Sequence, residues 1–201
     1  MIIGPDFIWL HVPKCGGTSV ERCLQSALRG MPGVNFDIIS PKHEVIWHQS
    51  VAGRVKYDPS FDPTGKRISA CIRRLPGWLL SRVHFEYERP PNHRVPTREM
   101  LVRGEFFEHS GFHHKADNMI RQYNTPEVDT WFRLENLRED MSGFFGFDVG
   151  EVPRINETKV QYVKGLDFWF TRDEIAQLYE NNPIWASIER KAYGNTLADL
   201  A

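Results

Sequence analysis

FIWLHVPKCGGTSVERCL, running from Phe7 to Leu24, decides the fold of this chain. Phe7-Ile8-Trp9-Leu10 is apolar without alternation, the pattern of a strand buried on both faces. Pro13-Lys14-Cys15-Gly16-Gly17 is a tight turn. Thr18 and Ser19 are capping residues, and they predict a helix from about Val20 to Leu28. The result is strand, glycine loop, helix. Two glycines permit close backbone approach, and the helix start adds N–H groups and the positive end of the dipole. Lys14 adds a full charge, and Thr18 and Ser19 add hydroxyls. Together they suit a phosphate or sulfate group.

Outward from that stretch, helical and extended patterns alternate. RGMPG (residues 29–33) is a turn and Val34–Ile39 a second strand. A loop with His43 and His48 leads to a short helix near Val51–Val55. Tyr57–Lys66 reads as loop, Arg67–Arg73 as a third strand, and Pro76 opens a helix reaching Glu88. Thr97–His109 and Lys115–Tyr123 read as helices, and Thr130–Leu134 as a fourth strand. Asn136–Phe145 is a helix, Phe147–Lys164 is less regular, and DFWF (Asp167–Phe170) reads as core. Thr171 with Glu174 is a capping box opening a helix to about Asn181, and a last helix spans Ile184–Tyr193. This order predicts an α/β fold: one domain over residues 1–201, with a central parallel sheet between two helix layers. Ligands of such sheets bind at the carboxyl ends of the strands, where the loop of residues 11–17 falls.

The chain has 201 residues, 41% of them hydrophobic, and a formal charge of −1. That excludes a disordered chain and a general nucleic-acid binder, which needs a basic excess. Three cysteines, Cys15, Cys23 and Cys71, are too few for a disulfide framework, and reduced thiols are expected. No apolar run is long enough to span a membrane, and the N-terminal residues lack a signal-peptide pattern. His109, His113 and His114 suggest a metal site, but Ser110-Gly111 interrupts the spacing, and a solvated loop is expected.

The loop is not a Walker loop, because Lys14 precedes the glycines. HVPKCGGTS instead resembles the 5′-phosphosulfate loop H-x-P-K-T-G-G-T-S of carbohydrate-type sulfotransferases, with Cys15 replacing a threonine. These enzymes have a P-loop-like fold and use 3′-phosphoadenosine 5′-phosphosulfate (PAPS), releasing adenosine 3′,5′-bisphosphate. The resemblance implies cofactor contacts from Lys14, Cys15, Gly16, Gly17, Thr18 and Ser19. CIRRLPGWLLS resembles the family's 3′-phosphate motif, V-R-[DN]-P-x-x-R-x-x-S, which assigns Arg73 and Ser81 to that phosphate. Arg74 and Leu75 depart from it, and Trp78 replaces its second arginine. INETK (Ile155–Lys159) matches a loop closing on the nucleotide, adding Thr158 and Lys159.

WHQSVAG resembles the segment carrying the family's catalytic base and assigns that role to His48, with His43 as runner-up and acceptor neighbour. His11 is expected to shape the loop. DNMIRQYN resembles a segment near the acceptor and implies Asn118 and Arg121. The implied activity is sulfuryl transfer from PAPS to a hydroxyl on a glycan or small glycoconjugate, with Lys14 also catalytic and no metal required. Golgi relatives carry a membrane anchor and stem. With the loop strand starting at Phe7, the expectation is a soluble, cytoplasmic enzyme without a membrane span or nucleic-acid partner. The alternatives are a P-loop kinase or hydrolase needing Mg²⁺, and a non-catalytic nucleotide-binding module.

Overall fold

Phe7–Leu10 forms β2, buried at all four positions. It lies at the middle of a five-stranded sheet in the computed structural model, which describes residues 1–37, 44–90, 94–155 and 160–200. The other strands are β1 (Ile2–Ile3), β3 (Asn35–Phe36), β4 (Arg67–Ile72) and β7 (Val128–Arg133), in the order β3-β1-β2-β4-β7. β2, β4 and β7 are parallel, with Leu10 beside Ala70 and Ile72 beside Arg133. β1 runs antiparallel to both β2 and β3. The architecture is therefore α/β with a mixed sheet, not the uniformly parallel one that the alternation of patterns predicts. Ile2-Ile3 is too short to carry a periodic signal, and Gly4 with Pro5 turns the chain back for antiparallel pairing.

This sheet belongs to one of two compact units, Met1–Ile72 with Thr125–Asn156. The unit also holds α1 (Gly17–Ala27), α2 (Glu44–Trp47), α3 (Val51–Tyr57) and α7 (Leu137–Phe145). Its core combines the apolar strands with Val20, Leu24, Met141 and Phe144. Phe7 meets Phe144 and Phe145 edge-on, with centroids 6.5 and 5.0 Å apart. Cys15, Cys23 and Cys71 are free and buried, and burial pushes the Cys71 thiol up to about 12.

The second unit is Arg73–Asn124 with Glu157–Ala201. It contains α4 (Leu75–Tyr87), α5 (Arg98–Val102), α6 (Ala116–Ile120), α8 (Arg172–Asn181) and α9 (Pro183–Tyr193). A hairpin of β5 (Glu105–Phe107) and β6 (His113–Lys115) completes it. The hairpin corrects two expectations. The helix expected to reach His109 ends at Val102, because Gly104 takes φ 75° and breaks it. The three histidines belong to the hairpin and its turn, each beside a carboxylate: His109 by Glu86, His113 by Glu105 and His114 by Glu108, all at 3.2 Å. DFWF is not simply core either, for Phe168 is 61% exposed while Phe170 is buried.

Two features fix this unit. Trp78 and Trp185 are fully buried with centroids 4.4 Å apart. Glu189, also fully buried, accepts hydrogen bonds from Arg74 (3.0 Å), the Leu75 N–H (2.9 Å) and the Tyr179 hydroxyl (2.7 Å). The expected capping box is present, with Thr171 and Glu174 bonded reciprocally. Replacing Glu189 with alanine leaves the Leu75 N–H and the buried Tyr179 hydroxyl without their acceptor and removes the carboxylate from the half-buried Arg74, which keeps only Asn195. Glu189→Ala is expected to cost about 3–5 kcal/mol, read as a lower denaturation midpoint at unchanged slope.

Candidate functional site

The loop leaves the carboxyl end of β2 at His11 and enters α1 at Gly17. Lys14 takes φ 62°, the only positive φ among the described residues that are not glycine, and Gly16 takes φ 81°. Alternating hand along residues 14–16 makes a concave backbone of the kind that receives anions. Gly16 is the N-cap of α1, and no side chain caps that end. The helix thus starts at Gly17, three residues before the expected Val20. Ser19 does not cap it. Its hydroxyl, buried within the first turn, accepts the N–H of Ile155 at 3.1 Å.

Packing beneath the loop explains both glycines. A Cβ on Gly17 would stand 1.9 Å from Nε2 of His11, and one on Gly16 would stand 2.6 Å from Leu134 Cδ1. Both would need atoms to overlap, so the start of α1 is seated directly on the imidazole of His11. Lys14, Gly16 and Thr18 are half-buried, whereas Cys15 is fully buried. Cys15 therefore presents no exposed thiol to the loop surface.

His48 hangs from the same point. Its Nδ1 lies 2.8 Å from the main-chain oxygen of His11. A carbonyl oxygen only accepts, so Nδ1 carries the proton, and in the neutral ring the lone pair sits on Nε2. The His11 and His48 rings meet edge-on at 4.7 Å, and Trp47 stacks on His11 at 6.3 Å with planes 10° apart. Just beyond His48, Ser50 caps α3 by accepting the Gly53 N–H.

Behind the loop lies a charged group that the motif analysis missed. Glu21 of α1 is fully buried, and among the described residues neither carboxyl oxygen has a hydrogen-bond partner. Its Oε2 is 3.6 Å from Nδ1 of His11. Burial raises the Glu21 carboxyl to about 7 and lowers the His11 imidazole to about 3. Nearby, Asp37 pairs with the Met1 amino group at 3.0 Å and with Arg54. Helical spacing does carry a signal for Glu21. Gly17, Glu21, Leu24 and Leu28 recur every three or four residues on one face, and three of the four are residues a buried face accepts.

The remaining expected residues fall elsewhere. Arg73, half-buried, follows β4 directly and lies by Gly77, with Nε 3.3 Å from the place of a Cβ there. Among the described residues no carboxylate pairs with it. Arg74, by contrast, is engaged by Glu189 and by Asn195, and its guanidinium covers the Tyr193 ring at 3.9 Å. Ser81 is buried on α4. Asn118 and Arg121 are exposed in the second unit. His43, Thr158 and Lys159 lie outside the described residues. Among the described residues no three His, Cys, Asp or Glu side chains gather as metal ligands, and no helix is long and apolar enough to cross a membrane. No protein-family model, curated protein or solved structure matches the chain.

His11 and Glu21 have opposite effects on stability. The unfolded chain binds a proton on His11 below about 6.5, which the folded chain refuses until about 3. The folded chain keeps a proton on Glu21 up to about 7, which the unfolded chain releases above about 4.5. Between pH 4.5 and 6.5 the two proton counts offset each other. Glu21→Gln removes one side of that balance. Relative to the parent, the variant is expected to lose stability as pH falls from 6.5 towards 4.5, by up to about 1.4 kcal/mol per pH unit. Urea denaturation of both proteins across that range checks it.

Proposed function

We propose that the chain is a PAPS-dependent sulfotransferase acting on a hydroxyl of a glycan or small glycoconjugate. One observation carries the reading: a lysine-bearing anion loop and a histidine with a fixed tautomer share His11 as their anchor. In a Walker-type loop the charged partner is a metal-bound phosphate, whereas here the neighbouring group is a proton acceptor. The HVPKCGGTS resemblance supplies the donor, and the loop fits its 5′ end by the alternating backbone at residues 14–16 and the uncapped start of α1.

The donor, when bound, supplies an activated sulfuryl group with a nucleotide phosphate as leaving group. In this reading Lys14 and the loop N–H groups hold the anionic oxygens, and Thr18 adds a hydroxyl donor. Lys14 stabilises the charge gathering on the departing oxygen. Nε2 of His48 takes the proton of the acceptor hydroxyl, while Nδ1 stays bound to the His11 carbonyl and holds the ring in place. Arg73 and Ser81 are assigned to the 3′-phosphate by the sequence motif, and the lack of a carboxylate partner on Arg73 among the described residues is compatible with that assignment.

Calorimetry is expected to give much tighter binding of adenosine 3′,5′-bisphosphate than of 5′-AMP. Arg73→Ala should erase most of that preference, by about 1.5–3 kcal/mol, the worth of charged hydrogen bonds. Equal affinity for the two nucleotides removes Arg73 from the site. A requirement for Mg²⁺ with a nucleoside triphosphate instead favours the kinase reading.

His48→Ala should lower kcat by about 10²–10⁴ with little change in bisphosphate affinity. A labelled-sulfate transfer assay over a glycan and small-alcohol panel measures this. Near-normal turnover in the variant rejects His48 as the base.

A further inference from the structure

Among the described residues Glu21 has no structural partner that accounts for its burial. It is sealed from solvent, its oxygens accept no hydrogen bond from those residues, and it sits one helical turn below Gly17, where the anion loop meets α1. Its Oε2 stands 3.6 Å from Nδ1 of His11. The other end of that imidazole, Nε2, lies against Gly17 at the base of the loop. One ring therefore joins the buried carboxyl to the loop.

We infer that Glu21 takes up one proton when an anion enters the loop, so that anion binding at this site is coupled to protonation. The inference rests on the proposed anion-binding role of the loop and extends it to the residue that adjusts the charge beneath it. With Glu21 ionised, Nδ1 of His11 carries the ring proton towards the carboxylate, and Nε2 turns a lone pair to the loop. The site then has a negative charge and an acceptor below a place meant for an anion. With Glu21 protonated, the carboxyl donates to Nδ1, and the ring proton resides on Nε2, facing the loop as a donor. The pair gains one proton, taken from solvent, and no other bond changes. Burial supports the same direction, since a carboxyl near neutral titration is easily tipped by a second negative charge.

The charges facing Glu21 come from several elements. His11 follows β2, the Met1 amino group precedes β1, Asp37 follows β3, and His48 follows α2; Arg22 neighbours it on α1, and Arg54 lies on α3 beside Asp37. The Met1 amino group and Arg54 are both engaged by Asp37. Glu21, by contrast, has among the described residues only the weakly basic His11 at ion-pair distance. That leaves Glu21 and His11 as the pair whose proton content responds to charge in the loop.

Calorimetry of adenosine 3′,5′-bisphosphate at about pH 8, where the ligand is fully ionised, in two buffers of different ionisation enthalpy counts the protons. The parent is expected to take up roughly half to one proton per ligand, and its affinity to weaken as pH rises from about 7 to 9. Glu21→Gln, a neutral carboxamide, is expected to bind with uptake near zero and a flat pH dependence. Binding by the parent without proton uptake, or an unchanged pH slope in the variant, overturns the coupling and leaves the loop assignment standing. Absence of bisphosphate binding in both proteins overturns the loop assignment and the coupling with it. Should Glu21→Gln fail to fold, carboxyl-carbon NMR of the parent decides. The Glu21 resonance is expected to titrate near neutral pH and to shift to the protonated form on adding the bisphosphate; a resonance that stays ionised overturns the inference.

Discussion

The contact between the Gly17 backbone and the His11 imidazole governs the first unit. A Cβ at position 17 would lie 1.9 Å from Nε2, so only glycine lets α1 come down onto the end of β2. Several features depend on that approach. The helix begins inside the glycine pair and not after the hydroxyl residues. Ser19 is carried into the interior, where its hydroxyl accepts the Ile155 N–H. Glu21, one turn further, is placed beside the same ring. His48 is held by the carbonyl of the residue whose side chain forms the seat. One steric requirement thus fixes the loop, the neighbouring histidine and the buried acid together.

Much of the fold was legible because burial and capping leave plain marks in a sequence. Phe7–Leu10, Arg67–Ile72 and Val128–Arg133 are dense in apolar residues, and all three are strands of the sheet. Thr171 with Glu174 and Pro76 mark helix starts that the structure contains. What was not legible depends on short elements and distant partners. Ile2-Ile3 and Asn35-Phe36 form two-residue strands whose pairing is tertiary, and Glu105–Lys115 hides a hairpin within a run of polar and aromatic residues. The early start of α1 was missed because Thr18 and Ser19 are good caps by type. Local preference gave way there to packing against His11.

The two adjacent arginines separate motif from environment. The pattern that assigns Arg73 to a phosphate expects an acidic or amide residue next, and position 74 carries arginine instead. That departure has a local cause: Arg74 satisfies the buried Glu189, binds Asn195 twice and lies over Tyr193. Within the second unit it ties the start of α4 to α9. Its charge is consumed by that role, whereas Arg73 keeps its guanidinium from any described carboxylate. The motif singles out Arg73 and marks Arg74 only as a departure, without saying what Arg74 does. The distinction comes from a glutamate 115 positions away.

Glu21 reverses that logic. A buried carboxyl normally persists because partners satisfy it, as Glu189 does. Glu21 has no such partners among the described residues, yet it occupies the face that α1 turns inward. Leucine or methionine at that position would remove the desolvation cost and preserve helix propensity. Stability therefore does not explain the glutamate. The inferred coupling gives it a reason: in that reading, the same carboxyl that opposes burial when ionised would become a hydrogen-bond donor once an anion entered the loop. The cost in the fold and the use in the site then have one origin, the low dielectric around His11 and Glu21.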